Sequence, residues 1–334
     1  TFAETGAYIV RQDAGDDPSN AFEGVITGYG AIDGRLVYAF VQDSSRMKGA
    51  FDSVSAGKIT SLINLAIRNG APVVGIFDSC GASVYEGAKV LAAYGRIMKS
   101  IFSAKGIVPL VALIPGVCGG GMAAFASAFD FVLCVRNQSE FYVAPQFISG
   151  ETTADGSAIA DIISDSEDEL YIRTRELLAL IPSNCNEGAR LTDTPVLERM
   201  TPPELLIPDR YDAKKLAASL ADEEIFLEIR SELAPELVAG LAFVGGVCCG
   251  IMANQPSVRS GMMTASACRK AERLVRFCDE FGLPLIALAN CGGICSEESD
   301  SAEYASAIAD LYSELTLSEN AKISAVTGNA YGIG

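Results

Sequence analysis

The sequence contains no histidine. Nucleophiles activated by an imidazole, histidine-ligated metals and histidine general bases are therefore excluded within this chain. Any catalysis must rely on backbone dipoles, carboxylates, lysine, tyrosine or a cofactor. Positive charge is also scarce, because 25 Lys and Arg stand against 42 Asp and Glu, giving a net charge of -17. This balance argues against nucleic acid or an anionic membrane as the main partner, although it leaves room for a small phosphorylated ligand.

The ten cysteines indicate neither a disulfide framework nor a metal site. Most of them lie inside apolar segments, which predicts buried thiols in a reducing, cytoplasmic protein. Cys291 and Cys295 form a CxxxC pair, but the chain has no second such pair and no histidine to complete a zinc site. We therefore expect no metal in this chain.

An uninterrupted membrane-spanning segment is missing as well. Residues 107–129 carry no charge over 23 positions, which is long enough to cross a bilayer. Pro109, Pro115 and three consecutive glycines interrupt this run and predict a strand, a turn and a helix instead. The 334 residues, 49% of them apolar, are enough for two domains of ordinary size with full cores.

The chain repeats itself in one constant register, in which Val25 corresponds to Leu237. Three blocks of the first half align with three of the second without a gap: VITGYGAIDGRLVYAF (25–40) with LVAGLAFVGGVCCGIM (237–252), APVVGIFDSCG (71–81) with LPLIALANCGG (283–293), and IPGVCGGGM (114–122) with VTGNAYGIG (326–334). Glycines or prolines coincide in all three blocks. Three blocks in one register indicate a duplication.

Both copies predict the same order of elements: two strands joined by a glycine turn, a helix, a strand that follows a proline, a glycine loop, a helix, and a strand ending in glycines. The apolar faces of the first helix in each copy comprise Ile59, Leu62, Ile63, Ala66 and Ile67, and Ala271, Leu274, Val275 and Cys278. Alternating strands and helices predict α/β layers, with glycine loops at the C-terminal ends of the strands, where ligands usually bind.

The stretch GVCGGGM (116–122) fits two interpretations. Its glycines either expose backbone N–H groups at the start of a helix, for a phosphate or an oxyanion, or allow a helix to pack closely on a strand. The spacing matches neither GxGxxG nor GxxxxGK[ST], so nucleotide motifs do not explain it. The duplication favours oxyanions, because two equivalent turns suit a reaction with two developing negative charges.

Seven segments, spread over both halves, carry a resemblance to a known family: GYGAIDGRLVYAFVQD, GAPVVGIFDSCGASVYEG, GVCGGGMA, LLALIPSNC, ANQPSVRSG, AERLVRFCDEFGLPLIAL and NAYGIG. They resemble the carboxyltransferase subunits of biotin-dependent acyl-CoA carboxylases and decarboxylases. This family includes propionyl-CoA carboxylase beta chains and the alpha subunits of methylmalonyl-CoA and glutaconyl-CoA decarboxylases. The resemblance implies an α/β protein with a duplicated crotonase (ClpP/crotonase-like) fold of β-β-α superhelix repeats. The implied domains are 1–210, with an acidic connector from about residue 150, and 211–334.

The resemblance also implies the activity. A carboxyl group moves between biotin, carried on a separate domain or subunit, and the α-carbon of a short-chain acyl-CoA of acetyl, propionyl or methylmalonyl type. Two oxyanion holes of backbone amides are implied at Gly120, Gly121 and Met122, and at Gly332, Ile333 and Gly334. The implied acyl-CoA contacts are Lys48, Gly49, Ala50, Gly81, Ala82 and Gly119.

The implied partners are a biotin carboxyl carrier protein and either a biotin carboxylase or a membrane decarboxylase subunit. The family pattern also implies a homo-oligomer, either a dimer or a trimer of dimers, whose sites combine the first half of one subunit with the second half of another. Basic residues of the second half are expected mostly on a solvated helix face: Arg259, Lys270, Arg273 and Arg276.

The chain departs from the family in three places. Cys80-Gly81-Ala82-Ser83 stands for Gly-Gly-Ala-Arg, residues 328–334 (GNAYGIG) stand for RKAYGGAY, and residues 290–294 (NCGGI) stand for DxPGF. We also expect a helix after Gly334, supplied by further residues or by a second polypeptide. Three alternatives remain: a membrane-coupled decarboxylase subunit, another crotonase-fold acyl-CoA enzyme, and a degenerate scaffold subunit.

Overall fold

The computed structural model describes residues 2–9, 24–144, 154–155, 159–192, 211–293, 295 and 301–332. The chain divides into two compact units, Thr1–Arg175 and Glu176–Gly334. Each unit combines a mixed sheet, parallel from its third strand onward, with helices that pack on it, which agrees with the predicted α/β class.

The first unit is built on a seven-stranded sheet. The unit as a whole has ten described strands: β1 (Phe2–Thr5), β2 (Val25–Ile32), β3 (Arg35–Gln42), β4 (Val73–Ile76), β5 (Leu110–Ile114), β6 (Val117–Gly119), β7 (Phe131–Val135), β8 (Glu140–Tyr142), β9 (Ala154–Asp155) and β10 (Ile162–Ser164). The sheet has the order β1-β2-β3-β4-β5-β7-β10 and is parallel from β3 onward. β6, β8 and β9 form a separate small sheet. The C-terminal ends of β3, β4 and β5 therefore share one edge.

Four described helices belong to this part of the chain: α1 (Ser53–Asn69), α2 (Lys89–Ala104), α3 (Gly121–Ser127) and α4 (Glu167–Leu180), which crosses the division between the units. Four of the five residues predicted for the apolar face of α1 are buried, and Ile67 is half-buried against the same core. The uncharged run 107–129 forms β5, β6 and α3, as its prolines and glycines predict. No helix in the described ranges is both long and apolar enough to cross a membrane.

The second unit has a five-stranded sheet in the order β11-β12-β13-β14-β15. Its described strands are β11 (Leu227–Ile229), β12 (Leu237–Val244), β13 (Val247–Asn254), β14 (Leu285–Cys291) and β15 (Lys322–Ala330), and its helices are α5 (Ala213–Leu220), α6 (Ala265–Glu280) and α7 (Ala302–Leu317). All four residues predicted for the apolar face of α6 are buried. This confirms the helical period read from the sequence.

The duplication holds at the level of strand register. Pairing of β2 with β3 begins at Val25 opposite Gln42, and pairing of β12 with β13 begins at Leu237 opposite Asn254. Both partners are thus displaced by the same offset that relates the repeated sequence blocks. Each pair of strands is joined by a two-residue turn with positive φ at both positions, the geometry that matches the twist of a hairpin.

A buried lysine is repeated as well. Lys58 Nζ donates to the carbonyl of Val25 at 2.6 Å, and Lys270 Nζ donates to the carbonyl of Leu237 at 2.7 Å. Lys270 is 1% exposed, and burial lowers its pKa to about 8. The expectation that Lys270 lies on a solvated helix face is therefore wrong, because its ammonium group anchors the first strand of the hairpin.

The two units differ at their last pair of equivalent strands, β5 in the first unit and β15 in the second. All five residues of β5 are buried between β4 and β7, whereas β15 ends its sheet with Ile323 and Val326 about two-thirds exposed. A cavity of about 240 Å³ lies beside β15, lined in part by Met252, Ala271 and Ala289. The equivalent residues of the first unit, Phe40, Ile59 and Phe77, pack instead on side chains of α3 and its C-terminal neighbour: Met122, Phe125 and Phe129.

Candidate functional site

Two of the segments predicted to bind acyl-CoA meet at the C-terminal end of the first unit's parallel strands. The Cys80 N–H donates to the carbonyl of Lys48 at 3.1 Å, and the Phe51 N–H donates to the carbonyl of Gly81 at 2.9 Å. Phe51 also pairs with Ala82 as an isolated parallel bridge. The structure therefore places Lys48, Gly49 and Ala50 alongside Gly81 and Ala82.

Ser79 joins these segments to the glycine turn. Its N–H donates to the carbonyl of Val117 at 2.7 Å, and its carbonyl accepts from the Gly119 N–H at 2.8 Å. Its hydroxyl accepts from the Gly81 N–H at 3.1 Å. A Cβ added to Gly81 would lie 3.4 Å from the Gly119 carbonyl oxygen and 3.7 Å from the Gly120 Cα. The two glycine segments thus face each other across a gap of one atom.

Asp78 contacts the segments on both sides of it. Its Oδ1 accepts from the Val117 N–H at 3.1 Å and would lie 2.7 Å from a Cβ added to Gly116. The Asp78 carbonyl oxygen occupies the space that a Cβ on Gly49 would need. Glycine is required at both positions, because any side chain would push these loops apart.

The amides of the glycine turn are not equally available. Gly120 starts α3 with φ +62°, and its N–H donates to the carbonyl of Tyr142 at 2.9 Å. The Gly121 N–H is directed at the Tyr94 hydroxyl. Met122 lies in the first turn of α3, where helix N–H groups lack an acceptor within the helix, and among the described residues no acceptor outside the helix pairs with its N–H. Gly120, predicted as an amide donor, therefore supplies the bend of the turn in this structure. The two remaining donors are the N–H of Gly121, which meets the Tyr94 hydroxyl, and the N–H of Met122, a fully buried residue.

Two tyrosines next to the turn were not anticipated. The Tyr142 ring covers Gly119, and its pKa is raised to about 12, by burial first and then by the neighbouring Cys80 thiol. Burial also raises the pKa of Tyr94, whose ring packs on Gly121. Tyr94 lies on α2 and Tyr142 on β8. Tertiary packing therefore brings them to the turn, and no local sequence motif predicts it.

The second unit repeats the anchoring of the turn. Asn290 occupies the position of Asp78, and its Oδ1 accepts from the Asn329 N–H at 2.9 Å. Gly261 and Gly328 lie against Asn290 as closely as Gly49 and Gly116 lie against Asp78.

The bend of the second turn is present too. Gly332 has φ +73°, close to the value at Gly120, and Gly293 has φ +123°, close to the +115° of Gly81. Ile333 and Gly334 lie outside the described residues, so their predicted role as amide donors stays a prediction. Gly332 is the residue that bends the second turn.

All ten cysteines are thiols outside any disulfide, and eight of them are buried. Cys291 and Cys295 belong to this buried group. In the ranges that the structure describes, no three His, Cys, Asp or Glu side chains are grouped so as to hold a metal ion.

A family model described as "Carboxyl transferase domain" matches residues 10–334. This chain belongs to the carboxyl transferase domain family. The match includes every residue that the sequence assigned to the two turns and to acyl-CoA binding.

Relatives within the carboxyl transferase family are similar over nearly the whole chain. Methylmalonyl-CoA decarboxylase subunit alpha of Veillonella parvula is 35% identical over 336 residues, which cover 93% of this chain and 65% of the relative. Propionyl-CoA carboxylase beta chain of Roseobacter denitrificans is 34% identical over 345 residues, covering 95% and 66%. The chain therefore spans just under two thirds of the length of these relatives.

Solved structures of carboxyl transferases confirm the duplicated crotonase fold. Transcarboxylase 12S, described as a hexamer with methylmalonyl-coenzyme A and methylmalonic acid bound, matches with a TM-score of 0.89 and 26% identity, over 98% of this chain and 68% of that chain. A single-chain, multi-domain long-chain acyl-CoA carboxylase matches with a TM-score of 0.80 at 19% identity, which supports the fold alone.

Proposed function

We propose that this protein is a carboxyltransferase subunit that moves a carboxyl group between biotin on a separate carrier and the α-carbon of a short-chain acyl-CoA. The observation that carries the proposal is the convergence of Lys48–Ala50, Gly81–Ala82 and Gly119–Met122 in the first unit. The relatives named for methylmalonyl-CoA and propionyl-CoA support the substrate class.

The first turn stabilises the enolate oxygen of the thioester. Carboxylation or decarboxylation at the α-carbon places negative charge on that oxygen, and the N–H groups of Gly121 and Met122 are fixed donors beside it. An oxyanion competes with the neutral Tyr94 hydroxyl for the Gly121 N–H, and charge-assisted hydrogen bonds are about twice as strong as neutral ones. Loss of one such donor costs about 3–4 kcal/mol of transition-state stabilisation in other enzymes.

The neighbouring segments hold the rest of the acyl-CoA. Gly49, Ala50, Gly81 and Ala82 offer a backbone lining without bulky side chains. The Lys48 side chain is exposed beside them, which suits a contact with a CoA phosphate.

The second turn fits the ureido oxygen of biotin. Among the described residues, a Cβ added to Gly293 would have one neighbour within 4 Å, the Tyr331 Cβ at 3.9 Å, although Gly293 itself is buried. Gly332 and Ile333 would hold the oxygen. Biotin supplies the carboxyl group from its N1 atom when it is loaded, and this chain contributes backbone donors that favour an anionic oxygen.

The proposal extends to partners and assembly. A biotin carboxyl carrier protein delivers the cofactor, and a biotin carboxylase or a membrane decarboxylase subunit completes the system. The hexamer of transcarboxylase 12S supports a homo-oligomer. We retain 1–210 and 211–334 as the limits of the duplicated domains, and a cytoplasmic location.

The test is carboxyl transfer in reverse with the purified full-length protein. Malonyl-CoA or methylmalonyl-CoA is mixed with free biotin, and loss of the acyl-CoA carboxylate is followed. We expect biotin-dependent loss that Gly120→Ala abolishes, because Gly120 holds φ +62° and ψ -135°, where an L side chain is strained. Gly34→Ala, with φ +78° in the hairpin turn, is the matched control and should retain activity. Absence of both transfer and CoA binding in the wild type would overturn the proposal.

A further inference from the structure

Asp78 and Asn290 make the same three contacts at equivalent positions of the two units. Each directs its Oδ1 at a backbone N–H of the segment that leads into the glycine turn: Asp78 at Val117 (3.1 Å) and Asn290 at Asn329 (2.9 Å). These N–H groups precede the bends at Gly120 and Gly332 by the same interval along the chain.

The second contact is with the residue just before that N–H. Gly116 and Gly328 lie so close to the side-chain oxygens that a Cβ on either one would overlap them. The oxygen therefore reaches its N–H only because both positions are glycine. The loop and the side chain are fitted to each other in both units.

The third contact runs in the opposite direction. The main-chain carbonyls of Asp78 and Asn290 fill the space next to Gly49 and Gly261, which end the short 3₁₀ turns Met47–Gly49 and Arg259–Gly261. One residue per unit thus fixes the separation between the turn before the first helix and the segment that leads into the glycine turn.

We propose that Asp78 and Asn290 are equivalent positioning residues that set the direction of the amides in the two glycine turns. The inference rests on the proposed function for its catalytic consequence and on the three contacts for its geometry. Neither residue has to touch the substrate, because each acts through the backbone of Val117 or Asn329.

The comparison of the two units identifies the property that matters. Asn290 is neutral and Asp78 carries a carboxyl group, yet the contacts are the same. An acceptor oxygen at the end of a short side chain is therefore required, and its charge is not. It follows that Asp78→Asn and Asn290→Asp should be tolerated, whereas Asp78→Ala and Asn290→Ala should release the turns.

The direct test is residue-resolved amide hydrogen exchange on the full-length protein. Exchange at Val117 should become about tenfold faster in Asp78→Ala, and exchange at Asn329 in Asn290→Ala, because each amide loses its acceptor. The variants that keep an acceptor should match the wild type. Asp165→Ala removes an exposed carboxylate paired with Arg136 and is the matched control. Unchanged exchange in both alanine variants would overturn the proposal, as would exchange in Asp78→Asn as fast as in Asp78→Ala.

Kinetics then separate positioning from general stability. In reverse carboxyl transfer, Asp78→Ala should lower kcat by at least about tenfold, with KM nearly unchanged and with unfolding still above the assay temperature. Asp78→Asn should restore kcat. Equal loss in both variants would contradict positioning by an acceptor oxygen. If the wild type shows neither transfer nor CoA binding, the proposed function fails, while the exchange measurements still decide the role of both residues.

Discussion

Gly121 lies against the Tyr94 ring so closely that a Cβ added to it would be 2.7 Å from the ring carbon that bears the hydroxyl. The ring packs against both Phe51 and Phe125, with centroid distances of 5.1 and 5.3 Å, and these two rings contact each other as well. Tyr94 therefore has little freedom to yield. The third glycine of the turn is therefore needed for this close contact with the ring.

Gly121→Ala should consequently destabilise the protein by about 1–3 kcal/mol, because the new methyl group overpacks a fixed ring. It should also lower carboxyl transfer, because α3 must shift to relieve the overlap. Gly95→Ala is the matched control: Gly95 follows Tyr94 in α2, and an added Cβ would meet none of the described residues within 4 Å. It should stabilise by about 0.5–1 kcal/mol. Urea unfolding measures the stability of both variants, and an equal change in the free energy of unfolding would contradict the role of the ring.

The contacts of this turn show where sequence reasoning succeeds and where it ends. The glycine spacing, the helical faces and the repeat follow from local conformation and periodicity, so they can be predicted from a single sequence. The hydrogen-bond partners of individual amides cannot be predicted in this way. The Gly120 N–H, for example, donates to the carbonyl of Tyr142, which lies on a strand that the glycine motif does not specify. The burial of Lys270 was missed for the same reason, since its acceptors at Leu233 and Leu237 are distant in the sequence and lie outside its own helix.

Cys80 should be the most reactive thiol of the protein. It is exposed, whereas eight of the other nine cysteines are buried, and it lies in the loop assigned to acyl-CoA. Iodoacetamide should label Cys80 first, and saturating CoA should slow the labelling because the ligand covers the loop. Peptide mass spectrometry on the full-length protein measures both. Labelling of Cys80 at the same rate with and without bound CoA would place the ligand elsewhere.

Lys270 should make stability depend on pH above neutrality. Burial lowers its folded-state pKa to about 8 from the ordinary value of 10.5. Below pH 8 both states bind the proton, so the cost of burying the charge is fully present. Between about pH 8 and 10.5 only the unfolded state keeps the proton, so stability should rise with pH, by at most about 3 kcal/mol.

The measurement is the free energy of unfolding of the wild type minus that of Lys270→Met, taken at pH 7, 8, 9 and 10. Methionine retains most of the apolar stem and has no proton to lose. The difference should be flat up to pH 8 and then move in favour of the wild type. A difference that stays constant across this range would show that Lys270 titrates at its ordinary pKa.

Lys48 should contribute to substrate binding and not to the chemical step. Its ammonium group is exposed, so loss of one phosphate contact in Lys48→Gln should cost about 0.2–1 kcal/mol, which is a rise in KM of roughly 1.5- to 5-fold at unchanged kcat. Added salt should reduce the difference in KM between wild type and variant, because it screens exposed charges.

A thioester of dephospho-CoA is the control substrate. If Lys48 contacts the 3′-phosphate, the two proteins should have equal KM values for this substrate. A KM difference that persists with dephospho-CoA would place the contact on the diphosphate, and a fall in kcat would contradict a role confined to binding.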